Sequence, residues 1–391
     1  MNILHVIPFL RSEEGGPVRA VIDLSEAMSR RGHGVGVLTF DDRDAPAEWN
    51  HGDAPTTRVV RMGPGRTLGM ASRGSAEASV EWADVVHFHG IWVPVYLQLW
   101  RICRRLRRPH VISVRGMLDD WSMRQSVLKK RAFLAVGGRR WLEDASAVHL
   151  TAEAELAQAS RYFPRERGQV IPNLLNLEPF EQSPDPTAAR ETFEPLRRGE
   201  PTVLFLSRVH PKKGVEHLVD AAAQLRDGGL PVQVIIAGTG DAAYTAAIQR
   251  RIEANNLGDR VHMVGQVTGD LKVSLYAACD LFCLPTSQEN FGFVFFESLA
   301  AGTAVITTRG VDTWPELEAS GGTVIVPETG EGMAVRIASA ITGVLSEEGR
   351  SAAIGRTGRS WMFENMRPDQ IAARFEAFYG RAAGAPAGAG R

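Results

Sequence analysis

Residues 281–302 read LFCLPTSQENFGFVFFESLAAG. LFCLPT is a short apolar run closed by Pro285 and Thr286, the pattern of a buried strand that ends in a turn. SQENFG is a polar loop with Gly292 at its end, and FVFFESLAAG is an apolar helix stopped near Gly302. Strand, loop and helix in this order form the unit of a parallel sheet covered by helices. Two glutamates bracket the aromatic run. Glu289 lies in the loop, and Glu297 lies about a turn and a half into the helix. The pair reads either as a cap plus a surface glutamate or as two acceptors for vicinal hydroxyls.

The same unit recurs in both directions. NILHVIPFL, GVGVLTF, VVRM, DVVHFHG, HVISVRG, AVHLTA and VIPN are the strands expected in residues 1–175, with VRAVIDLSEAMSRRG a helix after the first. SPDPTAARETFEPLRRGEPT is rich in proline and charge, and residues 176–200 read as a linker. The series then restarts with TVLFLSR, VQVIIAGTG, VHMVGQV, DLFCLPT, AVITT and TVIVP across residues 201–362. A last amphipathic helix is expected over 363–380, packing back on the first domain, and 381–391 reads as a disordered tail. The expected fold is α/β, two Rossmann-like doubly wound domains facing a central cleft, with the ligand at the carboxyl ends of the strands.

Composition agrees with a soluble protein that buries large cores: 391 residues, 44% hydrophobic and 23% charged. The opening MNILHVIPFL has no basic leader and reads as a buried first strand. Three cysteines, Cys103, Cys279 and Cys283, make neither a disulfide framework nor a metal quartet, which suits a reducing cytoplasm. The net charge of −1 hides an asymmetry. Residues 1–175 carry 24 Lys and Arg against 19 Asp and Glu, whereas the remainder carries 20 against 26. Twelve basic side chains lie in residues 95–140, opposed only by Asp119 and Asp120. RICRRLRRPH within that stretch reads as a solvated helix face or as a contact for anionic lipid headgroups, and it lacks the interleaved aromatics that nucleic acid would want.

The residues suited to chemistry fall on loops after strands. EEGGP places Gly15 and Gly16 at the start of a helix, where backbone can approach an anion or simply turn. SRVHPKKG aims Arg208 and Lys213 beyond the next sheet, a guanidinium and an ammonium of the kind a diphosphate requires. HFHG ends with His89, suited to polarise a hydroxyl, while His87 packs within its strand. Arg115 in SVRG is placed to meet an acidic or phosphorylated acceptor. The Asp-x-Asp of DRD at 42–44 lies in a polar loop and reads as solvated surface.

Together, E-x7-E within ENFGFVFFESLAAGTAVITT, SRVHPKKG and IPN at 171–173 resemble the retaining family-4 glycosyltransferases of GT-B fold, over nearly the whole chain. SVRGMLDDWSMRQSVLKKR resembles the RGML-containing transferases of bacterial exopolysaccharide and capsule synthesis. Leu174 and Leu175 depart from the pattern, which often has glycine after IPN. The resemblance implies a retaining, metal-independent transfer of sugar from a nucleotide-diphosphate sugar, UDP- or GDP-linked, to a glycan or lipid-linked acceptor in polysaccharide biosynthesis. It puts Arg208 and Lys213 on the diphosphate, Glu297 on the ribose and Glu289 on donor-sugar hydroxyls. It puts the amides of Asn290, Phe291 and Gly292 on sugar or phosphate, with Gly15 and Gly16 touching phosphate from the other domain. His89 would stand near the reacting carbon, and Arg115 and Asn173 on the acceptor. No cofactor, metal or nucleic acid is implied, and the enzyme is expected in the cytoplasm, peripheral on the inner face of an anionic membrane. The other class of reading is a catalytically silent binding protein of the same fold.

Overall fold

β-Branched and aromatic runs too short for helices become strands here, and each of the thirteen strands among the described residues lies within or overlaps a run read from the sequence. The structure is a computed structural model, and it describes residues 1–49, 57–63, 65, 67–327 and 332–384. The chain divides into two units.

The first unit takes Met1–Leu175 and the segment from Pro368 onward. Its sheet holds β1 (Asn2–Val6), β2 (Gly34–Thr39), β3 (Arg58–Arg61), β4 (Val85–His89), β5 (His110–Ser113), β6 (Ala147–Leu150) and β7 (Gly168–Val170). The order is β3-β2-β1-β4-β5-β6-β7, all parallel. The helix Gly16–Arg30 buries Val18, Val21, Leu24 and Met28, one face at helical spacing. Phe88 on β4 meets Tyr96 and Trp141 at ring-centroid distances of 5.2 and 5.4 Å, an aromatic knot in the main core.

The second unit is Asn176–Arg367. Its strands β8 (Thr202–Leu206), β9 (Gln233–Ala237), β10 (Val261–Gly265), β11 (Leu281–Leu284), β12 (Ala304–Thr308) and β13 (Thr323–Val326) run parallel in the order β10-β9-β8-β11-β12-β13. In each sheet the order reverses beside its first strand, at β1/β4 and at β8/β11, the place where doubly wound sheets bind ligands. Among the described residues no helix is long and apolar enough to cross a membrane.

Two boundaries differ from the sequence reading. Residues 176–200 are not a bare linker but part of the second unit: the helix Thr187–Thr192 packs on the helix Gly269–Ala278, and the Ala189 amide donates to Ser274 Oγ at 3.0 Å. Pro179 and Pro195 sit at the starts of short helical turns and Pro186 caps the helix Thr187–Thr192, where a missing N–H costs nothing, so the proline density misled. The terminal helix starts at Pro368 and runs to Gly384, four residues past the expected end, with Ala382 buried and Arg381 bonded to Gln169. Residues 385–391 of the expected tail lie outside the described residues.

Candidate active site

In the second unit, neighbouring strands β8, β11 and β12 deliver three loops to one edge of the sheet. Backbone stitches hold the loops together. The Ser287 amide and Thr286 Oγ1 donate to the Lys212 carbonyl at 2.8 and 3.1 Å, and the Glu289 amide donates to the Gly310 carbonyl at 2.8 Å. A Cβ on Gly214 would lie 2.4 Å from the Pro285 carbonyl oxygen, so this approach needs glycine. The stitching brings Lys213 Nζ onto the Glu289 carboxylate. Burial works against that carboxylate's charge, but Lys213, backed by Lys212 and the Asn290 amide, outweighs it and holds the Glu289 pKa below the ordinary value.

Arg208 is exposed at the end of β8. Its backbone is pinned by the loop after β9: a Cβ on Gly238 or Gly240 would strike the Ser207 or Val209 carbonyl at 1.8 or 1.9 Å. These two glycines of AGTG were not singled out in the sequence. Asn290 gives its side-chain amide to Asp312 at 3.2 Å, and Thr313 Oγ1 donates to the Phe291 carbonyl at 2.9 Å. Gly292, with φ of 69°, opens the helix Phe293–Ala301.

Glu297 is only 1% exposed. Lys272 Nζ donates to one of its oxygens at 2.8 Å and the Tyr276 hydroxyl to the other at 3.1 Å. It is therefore a held carboxylate, and Lys272 and Tyr276 are partners that the motif did not disclose.

In the first unit the loops after β1, β2, β4 and β5 wall a cavity of about 300 Å³. Phe9, Phe40, Trp92 and Met117 supply apolar walls, Glu14 a carboxylate, and His89 part of the lining. Gly15 beside it takes φ of 77° with open space around its Cα, and Gly16 is the first helical residue after it.

Behind the cavity, a polar row crosses four strands: His5 on β1, His87 and His89 on β4, Ser113 on β5 and His149 on β6. All are buried. The proton positions follow from groups that can only donate or only accept. The Ile171 carbonyl must accept from His149 Nε2 (2.7 Å), so His149 Nδ1 accepts from the Ser113 hydroxyl (2.6 Å). Ser113 then accepts from His87 Nε2 (2.7 Å), and His87 Nδ1 accepts from the Tyr379 hydroxyl (2.7 Å). Likewise Arg115 Nη2 donates to His89 Nδ1 (3.0 Å), whose Nε2 donates to His5 Nδ1 (2.9 Å). All four imidazoles are neutral. Burial foremost, and then neighbouring positive charge, pushes His5 and His149 down to about 3 and His87 and His89 well below 6.5.

His5, His87 and His89 are the group of three among the described residues whose nitrogens, within 4.8 Å of one another, could ligate a cation. The bond directions leave no lone pair on them: each Nδ1 accepts, and each Nε2 carries a proton. A cation does not fit the trio as it is protonated.

Arg115 sits at φ of 58° and donates to Asn173 Oδ1 at 2.8 Å, so these two expected acceptor residues meet, both buried. Burial pulls the Arg115 guanidinium down to about 10, against the opposing charge of Glu155. Glu155 clamps this turn by accepting from the Gly116 and Thr151 amides at 2.6 and 2.7 Å. No motif signalled Glu155, Tyr379 or the histidine row. In DRD, Asp42 pairs with Arg61, and the preceding Asp41 with Arg11 at 2.8 Å.

Residues 15–174 match the family model described as Glycosyl transferase 4-like domain, and residues 189–361 match that of Glycosyl transferases group 1. The GDP-mannose-dependent alpha-(1-6)-phosphatidylinositol monomannoside mannosyltransferase of Mycobacterium tuberculosis is 31% identical over 229 residues, 56% of this chain and 57% of that protein. The chain thus spans little more than half the length of that relative. Alpha-monoglucosyldiacylglycerol synthase of Streptococcus pneumoniae is 24% identical over 74% of this chain and 67% of its own. The crystal structure of Anabaena Alr3699/HepE in complex with UDP superposes with a TM-score of 0.78 at 19% identity, covering 97% of this chain and 100% of that one. The likeness shows the two-sheet GT-B fold. The stretch that matches the glycosyl transferase 4-like model is thus followed by the one that matches glycosyl transferases group 1, and the two together make up most of the chain.

Proposed function

We propose that the protein is a retaining, metal-independent glycosyltransferase that moves a sugar from a UDP- or GDP-sugar to a lipid-linked or glycan acceptor during polysaccharide or glycolipid synthesis. The observation that carries this reading is the stitched loop edge of the second unit, where Lys213, Glu289 and Arg208 stand on the loops after β8 and β11 within the group 1 match. Arg208 and Lys213 take the diphosphate, and Lys213 leaves Glu289 for it as the anion arrives. Glu289 then turns to the donor-sugar hydroxyls. Glu297, oriented by Lys272 and Tyr276, holds the ribose by yielding one of those bonds.

The acceptor hydroxyl attacks the anomeric carbon from the leaving-group side. The carbon–phosphate-oxygen bond breaks, the new glycosidic bond forms on the same face, and the hydroxyl proton passes to the departing diphosphate. No enzymic nucleophile is needed, and stabilising the leaving diphosphate supplies most of the rate. The apolar cavity of the first unit is the acceptor's seat, with His89 in its wall and Arg115 and Asn173 behind it. A lipid-linked acceptor is favoured by that lining and by the two lipid-glycosylating relatives. The three cysteines are buried and unpaired, in keeping with the cytoplasm, and the enzyme works there against the inner face of the membrane.

The test is a screen of the purified chain with UDP-, GDP-, ADP- and TDP-sugars in EDTA, beside an Arg208→Ala, Lys213→Ala variant. Binding or slow hydrolysis with one nucleotide class, lost in the variant, is expected. A folded protein that responds to none of them would overturn the proposal in favour of a silent binding protein.

A further inference from the structure

Four of the seven large hydrophobic side chains left exposed among the described residues fall within one short segment: Trp121 (46% exposed), Val127 (37%), Leu128 (81%) and Val136 (68%). Residues 121–140 also carry six basic side chains and no acidic one. Arg124, Lys129 and Arg131 are exposed among the apolar groups. Exposed apolar groups interleaved with cations on short helices are what an interfacial, lipid-facing surface requires.

The segment is not a loose loop that could fold its apolar groups inward. Asp119 caps the helix Asp120–Arg124. On the inner side of the helix Val127–Phe133, the Phe133 ring lies 5.6 Å from Trp92 and 6.4 Å from Trp141. Lys130 is buried, donates to Ser122 Oγ at 3.0 Å and stands 5.0 Å over the Trp92 ring. The outward groups are therefore displayed on an anchored scaffold. Trp92 is shared: it also walls the apolar cavity, and its indole N–H donates to the Met117 carbonyl at 3.1 Å.

The arginine-rich helix end at 101–108, the stretch whose sequence first suggests a lipid contact, is built differently. Arg105 pairs with Glu77 at 2.9 Å, Arg104 lies 3.6 Å from Asp144, and Arg108 donates to the Glu81 carbonyl. Its charges are largely answered within the protein, and it shows no exposed large hydrophobic.

We infer that residues 121–136 are the surface by which the protein seats on an anionic lipid bilayer, next to the cavity with which they share Trp92. The use of this surface rests on the lipid-linked acceptor proposed above; the binding itself does not. The experiment is flotation of the full chain with vesicles of phosphatidylcholine alone or with about one part in three phosphatidylglycerol. The unaltered protein should float with the anionic vesicles and less so as salt rises.

Leu128→Glu with Val136→Glu, and Lys129→Glu with Arg131→Glu, should each lower partitioning at least about tenfold. Arg104→Gln with Arg105→Gln should change it less than about twofold. Thermal melts check that every variant is folded. Absence of flotation, equal loss in the Arg104/Arg105 variant, or indifference to Leu128→Glu with Val136→Glu would each overturn the inference. So would a self-association abolished by those substitutions in a protein that ignores vesicles. Transfer to a water-soluble acceptor by the unaltered protein separates the two readings: flotation without any donor turnover removes the transferase reading alone, and turnover without flotation removes the docking surface alone.

Discussion

The two sheets share one strand order around their switch points, yet they spend their central strands differently. β8, β11 and β12 are apolar through their interior, with Val203, Phe205, Phe282, Cys283 and Ile306 fully buried. Their charged residues begin only in the loops that follow, which carry Arg208, Lys213 and Glu289. In the first unit the polar groups lie inside the strands, and the helix Pro368–Gly384 covers them, with Tyr379 closing the row against His87. Polarity on a loop is available for binding and need not be satisfied by the protein. Polarity in a strand must be, and by ordering its protons the histidine row satisfies every ring nitrogen except His5 Nε2. The difference separates a sheet edge built to exchange partners from a core built to keep them.

The largest effect should come from acid. An unfolded histidine titrates near 6.5, while His5 and His149 are held down to about 3 and His87 and His89 well below 6.5 in the fold. Between those values the unfolded chain binds the protons. The stability they give is thus complete above pH 6.5 and is lost as pH falls toward 3, by about 1.4 kcal/mol per pH unit for each histidine. Six of the eight tryptophans lie in the first unit, so urea titrations followed by tryptophan fluorescence report it directly. A midpoint indifferent to pH between 6.5 and 4 would break the comparison.

Next in size, Arg208→Ala with Lys213→Ala should lower turnover of the accepted donor by about 10³-fold while leaving that fluorescence transition in place. Tyr379→Phe should do the reverse. It strips a buried acceptor, His87 Nδ1, of its only donor and should cost about 1–3 kcal/mol of first-unit stability, with donor binding to the second unit unaltered by calorimetry. Glu289→Gln sharpens the idea of exchangeable partners. With Lys213 released, the bare nucleoside diphosphate should bind as tightly as before or up to about tenfold tighter, whereas the extra affinity of the nucleotide sugar should vanish. A Glu289→Gln protein that loses both equally would make the pair a structural bridge. The smallest effect is expected from EDTA, which should leave turnover unchanged.

How much of this was legible in the sequence depended on the range of the interaction. The strands were readable because a buried parallel strand is a local apolar run, and LFCLPT or TVLFLSR say so without help. Residues 176–200 were misread because proline marks a helix start as readily as a break, and only Ser274 and its helix show which. His89 and Arg115 stood out as polar groups at strand ends, but their mutual bond depends on neighbouring β4 and β5.

The sequence by itself determined two doubly wound units, the loops that carry Arg208, Lys213, Glu289 and Glu297, and the resemblance they bear. The tertiary structure alone decided that Lys213 closes on Glu289, 76 positions away, and that Glu297 is held by Lys272 and Tyr276. It also decided that His149 and His87 join through Ser113 to Tyr379, and that His89 beside them links Arg115 to His5. Periodicity along a chain encodes which residues are buried, since burial follows local hydrophobic pattern. Which polar groups meet depends on strand order and register, and these are settled only when the whole sheet has formed.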